Sequence, residues 1–359
     1  MGIPPVYETP IVDPTNPFAT NTNVTFLADS QNNNAWALFA DATYDFNAQW
    51  ELDAAIRYDE DTRNNTTDTP TVFLPKDANG NPAGVTGQVR TQTWSEPQPK
   101  ATLRYKPTND VTIYGGWARG FRSGGFNQTG VGAVAAAEGL LGVHDTFGAE
   151  VADTWEIGTK TQWLDRRLSA NLALFHTDSH NGYFFAYEAS TSTQNLGNLD
   201  ATYKGGELEL SARATDQLDL YASFGYTDSK ITAMEDPRVI GNQAPLVTRT
   251  SVNAGAQWRQ PISGNLTGTV RLDYQQIGRT WWDPFNVTSR DPVNLLDLRL
   301  GLQGDKWNVT AWSKNLTNTI YNAEFSPGAV PSTALPAGGS GFLWRAYPRR
   351  YGIDFEYRF

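Results

Sequence analysis

The chain has no cysteine and two methionines, which excludes disulfide frameworks, thiolate metal sites and cysteine nucleophiles. Basic residues are in deficit: 28 Lys and Arg against 38 Asp and Glu leave a formal charge of −10. A nucleic-acid partner needs a basic face, so nucleic acid is excluded as a main partner. No run of 18 apolar residues occurs; the nearest, Ala133 to Val143, is short and broken by Glu138, so no membrane-crossing helix is encoded. Met1-Gly2-Ile3-Pro4-Pro5 has neither a charged n-region nor an apolar h-region. If the protein is exported, its signal has been removed or the chain is a fragment.

Aromatic rings are abundant. Twelve Trp, 15 Tyr and 17 Phe sit in a chain whose mean hydropathy is only −0.47. Large rings without long apolar runs suit a membrane barrel, with girdle aromatics outside and a polar lumen inside. A soluble, aromatic-rich β-sandwich or propeller accounts for the composition equally well.

Residue order separates the two. Period-two alternation recurs almost to the end. Between Asn34 and Phe46, Trp36, Leu38, Ala40, Ala42, Tyr44 and Phe46 share one face, with Asp41, Thr43 and Asp45 on the other. Between Gln49 and Asp61, Trp50, Leu52, Ala54, Ile56 and Tyr58 alternate with Glu51, Asp53, Arg57 and Asp59. The same rhythm runs through 218–227, 252–259 and 351–359. Aromatics close the ends of the apolar rows, where bilayer interfaces would lie. Short turns rich in Asp, Asn, Gly and Pro, such as Asn47-Ala48 and Gly304-Asp305, alternate with long polar stretches at 62–90, 123–149, 180–199, 231–248, 280–291 and 315–344. Short turns on one side and long loops on the other describe an outer-membrane barrel. The expected fold is an all-β, antiparallel transmembrane β-barrel with about 13 strands in this chain. Residues 23–30 could add one more, closing a smaller barrel of about 14.

Several stretches resemble TonB-dependent receptors of the bacterial outer membrane. They are Pro99–Pro107 followed by Val111–Tyr114, then Arg119-Gly120-Phe121-Arg122-Ser123-Gly124-Gly125-Phe126-Asn127, and Glu156-Ile157-Gly158-Thr159-Lys160. After these come Lys204-Gly205-Gly206-Glu207, Asn315-Leu316-Thr317-Asn318 with Tyr321, and Pro348–Gly352 leading to Tyr357-Arg358-Phe359. The resemblance covers residues 34 to 359 and implies part of a barrel of about 22 strands. Residues 1–33 would be an extracellular loop or first-strand region, and 34–359 the C-terminal strands. It also implies a lumen-filling plug and an energy-coupling segment, neither of which is in this sequence. The implied partners are outer-membrane lipid, the TonB complex through that plug, and a small-molecule ligand: a siderophore, a cobalamin or an oligosaccharide. Binding and gating are implied, not bond cleavage, with no cofactor. The alternatives are a passive porin-like channel and an outer-membrane hydrolase.

The candidate chemistry is sparse. His176 and His180 with Asp178 and Asp145 read as surface residues rather than a metal or hydrolase site. Glu207 and Glu209 share one face of a strand and read as lumen lining rather than an acid–base pair. Asp59, Glu60, Asp61 and Asp68 lack the glycine and terminal glutamate of an EF-hand. For ligand capture, the candidates are Arg119, Phe121, Arg122, Asn127, Tyr187, Trp281 and Trp282: aromatic faces can stack on sugars or catechols, and arginine can grip an anionic group. Girdle anchoring is the competing role for any single aromatic.

Overall fold

The computed structural model of this 359-residue chain describes residues 28–188, 193–326 and 342–359, together with 11–12 and 20–21. Its frame is a single antiparallel sheet of 13 strands in which each strand pairs with its sequence neighbours. In chain order they are β1 (Asp29–Asp45), β2 (Trp50–Thr67), β3 (Val89–Thr108), β4 (Val111–Arg122), β5 (Glu150–Trp163), β6 (Leu168–Glu188) and β7 (Thr193–Arg213). The remainder are β8 (Leu218–Ala233), β9 (Thr250–Ser263), β10 (Leu266–Ile277), β11 (Val293–Gln303), β12 (Trp307–Lys314) and β13 (Arg350–Tyr357). The sheet's edges, β1 and β13, do not pair with each other among the described residues. Among the described residues no helix is long and apolar enough to cross a membrane.

The alternation sets the register. Leu38 lies opposite Tyr58, Ala40 opposite Ile56 and Tyr44 opposite Leu52, and the apolar row continues to Leu103 and Ala101 on β3. A one-residue slip would carry Asp53, Arg57 and Asp59 onto the greasy face. Among the described residues nothing covers that face. Leu38 is 68% exposed, Ile353 74% and Phe355 68%. A water-soluble sandwich would bury such a band against a second sheet; a barrel wall turns it to acyl chains. Trp36 and Trp155 stand toward the long-loop end, and Trp50, Trp163, Trp258 and Trp307 toward the short-turn end.

The opposite face is polar and cross-linked. Glu51 accepts from Arg104 and Lys106, each at 2.5 Å. Glu207 and Glu209 lie on this face too, alternating with the outward Leu208 and Leu210. The Glu-x-Gly-x-Lys motif has a steric reason. Tyr114 of β4 lies opposite Gly158 of β5, where a Cβ would come within 2.5 Å of its hydroxyl. The ring therefore lies flat, its hydroxyl donating to Glu156 at 2.7 Å and the Lys160 ammonium 5.9 Å from its centroid. Phe175 over Gly205 and Tyr221 over Gly255 repeat the arrangement.

Two expectations are corrected. The alternation places the first strand's start at Asn34, but the ladder begins with Asp29 opposite Thr67. Gln31–Asn34 are polar on both faces, so no rhythm betrays them. Asp29 and Ser30 therefore continue β1 instead of ending a separate strand; residues 22–27 lie outside the described residues. The supposed loop 180–199 is mostly strand. β6 carries an extra residue between Ser179 and Gly182, with Asn181 at a left-handed φ of 55°. The bulge inverts the side-chain period, so a strict alternation stops there while the ladder continues to Glu188.

Candidate ligand site at the long-loop end

Crossing a bilayer takes about ten residues of tilted strand; β6 and β7 have 21 each. The surplus rises beyond the greasy band and meets the loops. Past the bulge, Phe184 and Ala186 turn inward. They form a buried core with Leu199, Ala201 and Ile231 from β7 and β8, and with Ala135, Val143, Val239 and Ala244 from the loops. Among the described residues, most buried apolar side chains therefore support the loop layer rather than the wall.

The loop after β4 is pinned from several strands. Its helix α1 (Val131–Glu138) begins at Gly130 with no capping side chain of its own. The Asp145 carboxylate supplies the cap, accepting from the amides of Gly130 at 2.9 Å and Gly132 at 2.8 Å, where a negative charge also meets the positive helix end. Arg90 of β3 donates to the carbonyls of Asp145 and Asn127 and to the side chains of Asp29 and Asn65. Asn127 is buried, its amide donating to the carbonyls of His144 and Leu196 at 2.7 and 2.8 Å and accepting from the Leu196 amide at 2.9 Å. Next to this loop, Asp236 accepts from the amide and guanidinium of Arg238, which holds its carboxyl below the usual carboxylate range.

The sequence candidates divide among distinct places. Arg119 and Arg122 are three apart on a strand and so project from opposite faces. Arg119 follows Trp117 and grips Asp153 through Nε at 3.0 Å and Nη2 at 2.8 Å, with Nη1 on Glu96 at 3.1 Å. It stands where the β3–β4 ladder stops at Lys100–Ala118; Pro97 and Pro99 have no N–H to extend it. Phe121 shares the Arg119 face. Arg122 is more than half exposed, ion-paired with Glu150, its guanidinium 3.8 Å from the centroid of the Tyr183 ring. Tyr183 in turn donates to the Ser123 carbonyl at 2.5 Å.

Trp281 donates to Gln243 at 2.8 Å. The guanidinium of Arg290 lies 5.7 Å from the Trp282 ring, and burial lowers the Arg290 pKa. The side chain of Tyr187 lies outside the described residues. Six sheet positions separate β4 from β10, about 29 Å along the wall at the usual strand spacing, so the structure does not bring Arg122 and Trp282 together. The sequence reading missed Arg90 and Asp29, whose partners lie 25 or more positions away along the chain, and the capping role of Asp145, which it took as a surface residue.

A lipid-facing aromatic band, a charged inner wall, short turns at one end and a packed loop layer at the other define an outer-membrane β-barrel protein. Residues 6–316 match the family model described as TonB dependent receptor-like, beta-barrel. The chain belongs to the TonB-dependent receptors, a family of outer-membrane receptors and not of enzymes. Among curated proteins, it is 27% identical over 223 residues to a probable TonB-dependent siderophore receptor, PiuA, of Acinetobacter baumannii, covering 56% of this chain and 29% of that protein. It is 26% identical over 146 residues to the metal-pseudopaline receptor CntO of Pseudomonas aeruginosa, covering 40% of this chain and 18% of that one. Among solved structures, it superposes on the ferric yersiniabactin uptake receptor FyuA of Yersinia pestis with a TM-score of 0.73 at 20% identity. That match covers 93% of this chain and 47% of that one. The chain thus spans about a third or less of the curated relatives it matches and about half of the solved chains.

Proposed function

We propose that this protein captures a scarce, bulky nutrient at the cell surface, an iron–siderophore first, and passes it across the outer membrane with energy from the TonB complex. The observation that carries the reading is the family match over residues 6–316, joined to relatives named as a probable siderophore receptor and a metal-pseudopaline receptor. In this reading residues 34–359 are C-terminal barrel strands, and the short-turn end faces the periplasm. The loop layer forms the outer mouth. Arg122 and Trp282 offer a cation and an indole to the ligand, and Trp281 backs them. Arg119 and Phe121 set the outer-leaflet edge of the same rim, Tyr187 belongs to the β6 tip, and Asn127 acts by holding its loop. The charged wall below serves passage, since lumen-facing carboxylates such as Glu207 have no leaving group to protonate.

The test is uptake of labelled ferric siderophores by cells carrying or lacking the intact receptor under iron limitation. Receptor-dependent uptake that disappears without TonB is expected. Equal uptake in both strains across catecholate, hydroxamate and carboxylate siderophores sinks the siderophore reading. In the intact receptor, R122A and W282A are each expected to weaken ligand binding by about tenfold, the worth of one charge-assisted or stacking contact. Titration of the purified protein measures this; unchanged affinity in both places the mouth elsewhere.

A further inference from the structure

The long loop between β10 and β11 carries a half-buried guanidinium, Arg290, with no carboxylate partner among the described residues. Beyond the last rung of that ladder, Ile277 opposite Val293, the chain folds into a short hairpin. Thr280 lies opposite Arg290 and Trp281 opposite Ser289. The Trp282 amide donates to the Thr288 carbonyl at 2.9 Å, which sets Trp282 on the face that Thr280 shares with Arg290. The turn is pinned: Asp283 accepts from the amides of Val287 and Thr288, and Asn286 exchanges hydrogen bonds with the Gln243 backbone.

Two arginine–tryptophan pairs result, and they differ in charge balance. Arg279 lies 5.9 Å from the Trp281 centroid and is met by Asp291 at 3.1 Å. Arg290 lies 5.7 Å from the Trp282 centroid and donates to the Thr280 hydroxyl at 2.9 Å, while its Nε is buried without an acceptor among the described residues. Both acids of this loop are committed elsewhere, Asp283 to the turn and Asp291 to Arg279. Residues 189–192 and 327–341 contain no Asp or Glu, so those stretches cannot supply a counter-charge. From the loop after β12, the Tyr321 phenol acts on the guanidinium against the effect of burial. A half-buried cation without a counter-ion costs free energy that an incoming anion removes.

We infer that Arg290, Trp282 and Tyr321 form a subsite for a planar aromatic anion at the outer mouth. The guanidinium fork takes a carboxylate or a catecholate oxygen pair, and the indole and phenol offer ring faces to the rest of the group. The inference deepens the uptake reading, on which it rests for placing this loop at the cell surface. It makes Arg290, rather than Arg122, the cation that serves Trp282. The hairpin stands beyond the ladder, above the lumen wall.

Benzoate is the probe, measured by equilibrium dialysis on the intact receptor purified from outer membranes in detergent. Saturable binding is expected, about tenfold tighter than that of the neutral benzamide, with acetate a weaker competitor than benzoate. R290Q should remove the preference for benzoate over benzamide, and K204Q, at an exposed lysine of β7, should leave it unchanged. Equal binding of benzoate and benzamide overturns the inference, as does equal competition by acetate or an equal loss in K204Q. The comparisons of benzamide and acetate use the unaltered receptor, so they decide the matter even if R290Q fails to assemble. Benzoate binding is read without iron, TonB or transport. Its absence with siderophore uptake intact counts against this subsite alone, and its presence without uptake counts against the uptake reading alone.

Discussion

Asn127 shows how a polar residue in a loop can be structural. Its amide satisfies two carbonyls and one N–H at once, all within a buried setting where orphaned groups cost about 1–3 kcal/mol each. N127A is expected to loosen residues 123–149 by about 2–4 kcal/mol, read as faster amide exchange in that loop with the strand amides unchanged. Asp236 carries the acid sensitivity of the neighbouring loop. Its folded pKa lies below the unfolded value, so its contribution is present above the unfolded value of about 3.9 and is lost as pH falls through the lower folded value. Acidification from pH 5 to 2 should therefore open loop 234–249. D236N should already be open at pH 7 and show a flatter profile, measured by limited proteolysis across pH.

At the scale of the element, the β6 bulge decides which way the strand tip faces. With the extra residue, Phe184 is buried among Leu199, Ile231 and Val143; without it the period would point Phe184 outward. Deleting Asn181 should expose position 184, so that a cysteine placed there reacts with a water-soluble maleimide only in the deletion variant. The aromatic–glycine pairs are the second device. G158V would drive a branched side chain into the Tyr114 ring, and a loss of about 1–3 kcal/mol is expected, seen as a lower denaturant midpoint of the folded barrel. Neither feature was visible in the sequence beforehand. The bulge erased the alternation by which strands are recognised, and Gly158 meets its ring only through a register set 44 residues apart.

At the scale of the whole molecule, the bare apolar face makes the strongest prediction. L272R, on the outer face of β10, should cost about 2–4 kcal/mol near the bilayer midplane. E207Q, on the inner face, should leave assembly unaltered. Heat-modifiable mobility of barrels extracted from membranes reads both. Equal tolerance of the two would mean that the outer face does not contact lipid. A single wall of 13 strands also explains why the loop layer needs a core of its own: among the described residues the wall buries few side chains, and the buried apolar cluster forms where the tips of β6–β8 meet their loops.

Alternation, the aromatic ends of the rows and the segregation of short from long connections were decided by the chain itself, because each depends on neighbours one or two residues away. The strand count and the inward side of Glu207 and Glu209 follow from that rhythm alone. What the tertiary structure decided is everything that depends on register between distant segments. It gathers Arg90, Asp29 and Asn127 around one loop and sets the Tyr114 ring over Gly158. Side chains 40 to 100 positions apart meet only after the hydrogen-bonded ladder has chosen their opposite numbers, and no local pattern records that choice.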